Sequence, residues 1–477
     1  MPNDPIKTIK HILVSKRARE KEPKRVEAIL GKFPKITPVD IENEDSNTVR
    51  EKIHELEPET RWDMSEAVTR GKKILVLTAP TAELVRRFKT DKNMICPHFH
   101  IVTTMSNGCV FSCEYCYLQA TYRAMWPCMK VNVNFDKILK KLFSISLTNN
   151  NANLSTHFNM GELMDALAFE PIIGAVSFFL EHLDDKSFAN SELVLLTKSN
   201  EVTALCSGIK RFPAAAERIV PAWSLNTPQA ATSYEHGSAS IDQRLQAAKE
   251  AQDAGYRIRL RIDPMIPYGA DESYLEEYEK LVHDIFDRGL NPEVITLGSL
   301  RYENAVIPIA KRRFPNTDLF DLPLVRTGND KNRLPFDIRL QMYKTVIAAI
   351  REHNNKQPIG LCKEREQLWL RTGLRSGSRT HFDCNCRRNW TFEHIQTEMA
   401  IPTEPAGLPV PEVQTILVSQ LLDDESFADR RPDSYEGLKR SVSAHGMRHP
   451  IEVLKKKVLN TRSSTGFAAF SPPRPCA

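Results

Sequence analysis

Three cysteines, Cys109, Cys113 and Cys116, lie in one short stretch, SNGCVFSCEYCYLQATY, at the spacing C-x3-C-x2-C. A loop this short brings three thiolates to one side of a bound inorganic group. A 4Fe–4S cube that only carries electrons takes four protein ligands. Three thiolates leave one iron open to a small molecule, which suits radical cofactor chemistry. Two other readings of the same residues stand beside this one. Cys113 and Cys116 form a C-x2-C pair of the kind zinc knuckles use, and Cys384-Asn385-Cys386 offers a second pair, though at a tight spacing. The third reading is surface thiols that bind no metal. Tyr115 and Tyr117, which flank Cys116, favour the open cluster.

The pattern CxxxCxYCY resembles the signature of radical S-adenosylmethionine enzymes. The run CPHFHIVTTMSNGCVFSCEYCYLQATY is similar to the spore photoproduct lyase branch, and GELMDALAFE, LLTKSN, PAWSLNT, RLQAAKEAQDAGYRIRLRIDPMIPYG and ITLGSLRY follow in the same order. The resemblance covers about residues 70–390. It implies a partial (β/α)6 TIM-type barrel of the radical S-adenosylmethionine kind. It also implies a 4Fe–4S cluster on Cys109, Cys113 and Cys116, with S-adenosyl-L-methionine on the open iron. An external donor such as flavodoxin or ferredoxin would deliver one electron, and cofactor cleavage would give a 5′-deoxyadenosyl radical.

Composition agrees with an ordinary globular enzyme. The 477 residues are 41% hydrophobic and 26% charged, enough for two or three domains. No stretch reaches the roughly 20 apolar residues of a membrane helix. The N-terminal MPNDPIKTIKHILVSKRAREKEPKR has no apolar core of a secretory signal. Ten cysteines in a chain of this length point to a reducing cytoplasm, as an iron–sulfur cluster does. A net charge of +5 permits nucleic-acid binding only through a local basic patch.

The chain divides by pattern. Residues 1–90 read as a small α/β extension, with Ile74-Leu75-Val76-Leu77 as a buried strand and the basic run Lys16–Arg25 as a solvated helix face. Residues 91–399 read as the barrel and its closure. Strands are expected at Phe99–Thr103, Ser155–Met160, Leu193–Thr197, Ile219–Asn226, Arg257–Asp263 and Val294–Leu300. Helical repeats separate them, among them Ile172, Val176 and Leu183 after Pro171, and Ile241, Leu245, Ala248 and Ala251 before a capping Gly255. Such alternation implies a parallel sheet. AIPTEPAGLPVPE, residues 400–412, reads as a linker from its four prolines. Residues 413–456 resemble the start of a ParB-like partition domain. Residues 457–477 carry no period and read as a disordered tail.

In strand Arg257–Asp263, Ile258, Leu260 and Ile262 alternate with Arg259, Arg261 and Asp263. Side chains alternate faces along a strand, so the polar set is expected to point into the barrel. There Arg261 and Asp263 would meet an anionic or zwitterionic ligand, or form a purely structural salt-bridge network. Ser224 and Asn226 share a face of the preceding strand. Among residues carried by the resemblance, Glu162 would take the methionyl amine and Lys198 would lie near the cofactor carboxylate. Tyr115 and Tyr117 would pack the cluster or relay a hydrogen atom. The family carries a hydrogen-donating cysteine in the segment that reads HFNMGELMD here. Its place falls to Glu162 or a neighbour, and a carboxylate cannot donate a hydrogen atom as a thiol does.

Three functions are open at this point. The first is a lyase-like radical enzyme that repairs or modifies a DNA base. The second is a radical enzyme on a peptide or small molecule. The third is a partition-type DNA-binding protein with a structural cluster.

Overall fold

The computed structural model describes residues 5–391 apart from 59–62, 89–93, 103–104, 122–127, 270–271, 327–330 and 376–380. The segments read as linker, ParB-like module and tail lie outside the described residues. Among the described residues no helix is long and apolar enough to cross a membrane.

Runs of Ile, Leu and Val set two sheets. In the first, Ile74–Thr78 is buried at every position and pairs in parallel with His11–Ser15 on one side and Met129–Asn132 on the other. Val39–Ile41 extends the sheet in parallel, and Met105–Asn107 closes its other edge in antiparallel sense. The basic segment beside this sheet forms helices Lys16–Lys21 and Pro23–Leu30. Arg19 there pairs with Asp40, and the Arg25 guanidinium lies 4.1 Å from the Phe135 ring centroid.

The second sheet has eight strands. In spatial order they are Ile359–Leu361, Ile295–Ser299, Arg259–Met265, Ile219–Leu225, Ser191–Thr197, Thr156–Met160, His100–Val102 and Val85–Arg87. All neighbours pair in parallel except the last, which is antiparallel. The six expected strands are all present, and the parallel run continues to a seventh at Ile359–Leu361. Ile219–Leu225 is buried along its whole length, as befits a parallel strand covered on both faces. The helix before Gly255 runs from Ile241 to Ala254. It starts at a capping box between Ser240 and Gln243 and ends where Gly255 turns left-handed at φ 112°. The repeat after Pro171 forms two helices, Glu170–Ile173 and Ala175–His182, because Gly174 at φ 63° breaks it.

The two edges of this sheet meet. Ile95, beyond the Val85–Arg87 edge, donates its N–H to the Glu364 carbonyl at 3.0 Å, beyond the Ile359–Leu361 edge. The hairpin Phe382–Cys384 and Arg387–Trp390 packs on the polar face of the sheet. Its Asn385 takes a hydrogen bond from Arg259 at 2.8 Å and gives one to Thr296 at 2.8 Å. Gly360 makes room for it, since a Cβ there would stand 2.2 Å from the Asp383 carbonyl. Arg259 is fully buried and ion-paired to Glu192 at 2.7 Å and Glu293 at 3.0 Å, so its role is structural.

Beside this seam a buried imidazole is held neutral. His100 packs on Phe158, and burial, assisted by nearby Arg87, lowers its pKa to about 4. Burial also lowers His98 and His157. Between an unfolded value of about 6.5 and the folded value, the unfolded chain binds a proton that the native chain refuses. Stability is therefore whole above about pH 6.5 and falls as pH drops toward 4. Urea midpoints at pH 7.5 and pH 5 should differ less in His100→Phe than in the parent; equal pH dependence would contradict the assignment.

Candidate active site

The cysteine loop is built between two sheets. Ser112–Cys113 pairs antiparallel with Glu235–His236, and the Glu114 N–H donates to the Tyr234 carbonyl at 2.9 Å. Gln119 closes the loop by donating to the carbonyls of Cys113 at 3.3 Å and Glu114 at 2.9 Å. Lys72, at the end of helix Met64–Gly71, supplies the remaining tether. Its amine donates to the Cys109 carbonyl at 2.7 Å and to that of Phe111.

Cys109, Cys113 and Cys116 all line one cavity of about 860 Å³. Cys113 is buried and the other two are half-buried. Among the described residues no three His, Cys, Asp or Glu side chains, the three cysteines included, stand close enough together to hold a metal ion. Cys384 and Cys386 are not among the residues lining the cavity, but Cys386 packs beside Cys96 against Phe88, Phe99 and Ile101, of which Phe88 and Ile101 do line it. Among the described residues no fourth cysteine lines the cavity. Burial pushes the Cys113 thiol up to about 12 and that of Cys109 higher still. Neither is a thiolate at neutral pH without a bound cation to hold it, which is how metal binding comes to release protons. The donor set thus fits a cluster held by three cysteines.

Behind the loop lies a buried carboxylate. Glu235 has no exposed side-chain surface and binds Lys198 at 2.6 Å and Arg244 at 2.6 Å. It also accepts from the Tyr115 hydroxyl and from Asn226 at 3.3 Å. Burial alone would raise its carboxyl, but Lys198 and Arg244 outweigh burial and hold it well below the usual range. The Lys198 amine donates to the Tyr115 hydroxyl at 2.8 Å. Tyr117 donates to the backbone carbonyl of Glu162.

A second ionic group forms another wall. Asp263 receives Arg261 at 2.8 Å and both guanidinium nitrogens of Arg301 at 3.0 Å. Burial raises its carboxyl and the two arginines reverse that shift, leaving it ionised. Gly298 is required here, since a Cβ would stand 2.4 Å from the Asp263 carboxyl carbon. The Ser224 hydroxyl donates to the Asp263 carbonyl at 3.0 Å.

Ten of the eleven residues singled out from sequence line this cavity: the three cysteines, Tyr115, Tyr117, Glu162, Lys198, Ser224, Arg261 and Asp263. Asn226 sits behind it, fully buried between Glu235, the Pro264 carbonyl and Tyr278. Sequence reasoning did not single out Lys72, Glu235, Asp165 or Arg301. Asp165 accepts from Thr197 at 2.7 Å and from the N–H of Lys198 at 2.6 Å, tying the segment after Gly161 to the next strand. Its place in GELMD was the one available signal.

A parallel α/β sheet thus carries a loop that sets three cysteines on one cavity wall. The sequence matches the spore photoproduct lyase family over residues 22–326, and the chain belongs to that family. It is 27% identical over 264 residues to the spore photoproduct lyase of Clostridium acetobutylicum, covering 54% of this chain and 71% of that protein. With the Bacillus subtilis enzyme it shares 23% over 228 residues, covering 47% and 63%. Its fold resembles a solved spore photoproduct lyase complexed with dinucleoside spore photoproduct, with a TM-score of 0.60 at 18% identity over 74% of this chain and 99% of that one. It also resembles a doubly substituted spore photoproduct lyase with bound AdoMet and dinucleoside spore photoproduct, with a TM-score of 0.59 at 18% identity and coverage of 74% and 98%.

The Lys72 tether is testable. Lys72→Met removes the donor to two loop carbonyls, a loss of about 1–3 kcal/mol for each one left buried and unsatisfied. Iron retained per chain after anaerobic reconstitution and gel filtration should fall. Parental iron content and melting temperature in Lys72→Met would contradict the tether.

Proposed function

We propose that this chain is a radical S-adenosylmethionine enzyme that acts on a damaged or modified DNA base. The supporting observation is one cavity that gathers the three cysteines, Glu162, Ser224 and the Arg261–Asp263–Arg301 group. When bound there, a 4Fe–4S cluster and S-adenosyl-L-methionine supply one-electron cofactor cleavage and a carbon radical that abstracts hydrogen. The chain's residues then have separate tasks. Cys109, Cys113 and Cys116 hold the cluster. Glu162, a carboxylate on the cavity wall beyond Gly161, takes the methionyl ammonium by charge. Ser224, near the end of its strand, and Arg261 and Asp263, within theirs, line the cavity and orient the rest of the cofactor. Lys198, bound to Glu235 and Tyr115, positions the loop and stands on the cavity wall, near the place of the cofactor carboxylate. The parallel run serves as the partial barrel, and residues 1–90 serve as a docking extension that carries Lys72.

The lyase relatives bear on the substrate, since two of the solved structures hold dinucleoside spore photoproduct. The closing step differs in this chain. Glu162 or a neighbour stands where the family resemblance places a thiol, and among the described residues no cysteine other than Cys109, Cys113 and Cys116 lines the cavity. Tyr115 and Tyr117 line the cavity, and behind its wall the Cys362 sulfur receives Arg261 at 2.8 Å and Arg301 at 3.2 Å. We therefore expect the reaction to end differently from direct thiol donation.

Anaerobic protein reconstituted with iron and sulfide, then given dithionite and S-adenosylmethionine, should form 5′-deoxyadenosine. Ultraviolet-irradiated DNA carrying spore photoproduct should stimulate it, and Cys113→Ala should abolish it. Formation that ignores DNA would move the substrate to a peptide or small molecule. Efficient release of thymines would show that a usual hydrogen donor operates despite Glu162.

A further inference from the structure

Four of the ten cysteines gather at the seam where the two edges of the eight-stranded sheet meet, apart from the three of the loop. Cys96 follows Ile95, which bridges the seam to Glu364. Cys362 follows the edge strand Ile359–Leu361, and its N–H donates to the Leu297 carbonyl at 2.7 Å. Cys384 and Cys386 flank Asn385 at the turn of the C-terminal hairpin. The hairpin closes on the edge strand at Gly360, where a Cβ would stand 3.0 Å from the Cys384 Cα.

These sulfurs are neighbours. The Cys384 and Cys386 thiols hydrogen-bond to each other. Burial raises the Cys96 thiol to about 12, and Cys362 and then Cys386 push it the same way. Cys96 and Cys386 pack on the stacked rings of Phe88 and Phe99. N–H donors meet three of the four sulfurs. Arg261 and Arg301 donate to Cys362 at 2.8 Å and 3.2 Å. The Lys363 N–H donates to Cys96, from a residue held left-handed at φ 53°. The Asn159 amide donates to Cys386 at 3.9 Å. A neutral thiol is a weak acceptor, whereas hydrogen bonds to sulfur are a regular feature of metal-bound thiolates. Cys128 makes the contrast, packed among Leu13, Ile74 and Val76 as a small apolar side chain. A second observation points to a ligand. Asn385, between Cys384 and Cys386, is 2% exposed, and neither its amide oxygen nor its amide nitrogen has a hydrogen-bond partner. Buried amides are paired in folded chains, so a charged or polar group belongs beside this one.

We propose that Cys96, Cys362, Cys384 and Cys386 hold a second iron–sulfur cluster, distinct from that of the cysteine loop. Four thiolates complete the ligation of such a cluster and leave no iron open, so it carries electrons and binds no small molecule. The four sulfurs, like the three of the loop, do not close round a single metal ion. A cluster spreads its ligands over several irons and suits them better. Arg261 and Arg301 offset the thiolate charge from the cavity side. Phe88 and Ile101 touch Cys96 and Cys386 and also line the cavity, so the second cluster stands against the wall of the reaction chamber. The inference does not depend on the DNA-base reading.

The test uses the full-length chain, reconstituted anaerobically with iron and sulfide, desalted, and measured for iron, zinc and acid-labile sulfide. The parent should hold more than the about four irons of a single cube. The most direct variant combines Cys109→Ala, Cys113→Ala and Cys116→Ala. It should keep about two to four irons with matching sulfide. After dithionite it should show a paramagnetic signal that S-adenosylmethionine does not shift. Adding Cys384→Ala and Cys386→Ala to that variant should remove the remaining iron. The same two substitutions in the parent should leave the cofactor-responsive signal in place. A triple variant with the parent's circular dichroism and no iron would overturn the proposal, as would zinc in place of iron or a Cys384–Cys386 disulfide in the reconstituted parent. Should the triple variant fail to fold, the parent decides: about four irons or fewer, the content of the loop cluster alone, overturns the second site.

Discussion

A buried carboxylate, Glu235, is the interaction on which the site depends. It has no exposed side-chain surface and sits between Lys198 and Arg244, so its charge persists only because two cations and a tyrosine hydroxyl answer it. Removing one partner of such a group leaves an uncompensated charge, which is far worse than never having had the pair. The same residue pairs with Cys113 across a two-residue strand. The position of the cysteine loop is thus fixed to the main sheet through Glu235 and to the first sheet's helices through Lys72. Both tethers end on the loop backbone or its tyrosine, leaving the three sulfurs on the cavity wall.

The Arg261–Asp263–Arg301 group obeys the same logic. Asp263 is ionised because two guanidiniums outweigh its burial, and Gly298 leaves the space its carboxylate fills. On one strand, Arg259 belongs to a buried salt-bridge network while Arg261 and Asp263 pair with each other on the cavity wall. Arg259 closes the bottom of the sheet against the C-terminal hairpin, while Arg261 and Asp263 face the cavity.

Much of this was legible in the sequence for a physical reason. Most of the six expected strands are apolar runs or alternate apolar with polar residues, and both patterns report on local burial. The strands of the eight-stranded sheet that went unread, Val85–Arg87 and Ile359–Leu361, have three residues each, too few to show a period. The helix after Pro171 was read as continuous because apolar spacing carries across Gly174, whose left-handed turn breaks it. The cysteines and Asp263 were found because their chemistry is written in residue type and spacing, and Glu162 was found through the family resemblance. Lys72 and Glu235 were not, because each acts on residues 37 to 120 positions away. Nothing local distinguishes such a lysine or glutamate from a surface one. Asn226 shows the converse: strand alternation put it on the correct face, but the network with Glu235 and Tyr278 keeps it behind the cavity.

The central claim is that three cysteines leave one metal position open to a small molecule. The most direct measurement is the electron paramagnetic resonance spectrum of anaerobically reconstituted, dithionite-reduced protein before and after S-adenosylmethionine. The account predicts a reduced-cluster signal whose g-values shift when the cofactor is added, because the cofactor joins the coordination of one iron. A signal that does not change, or protein that takes up zinc and holds no iron, would contradict it.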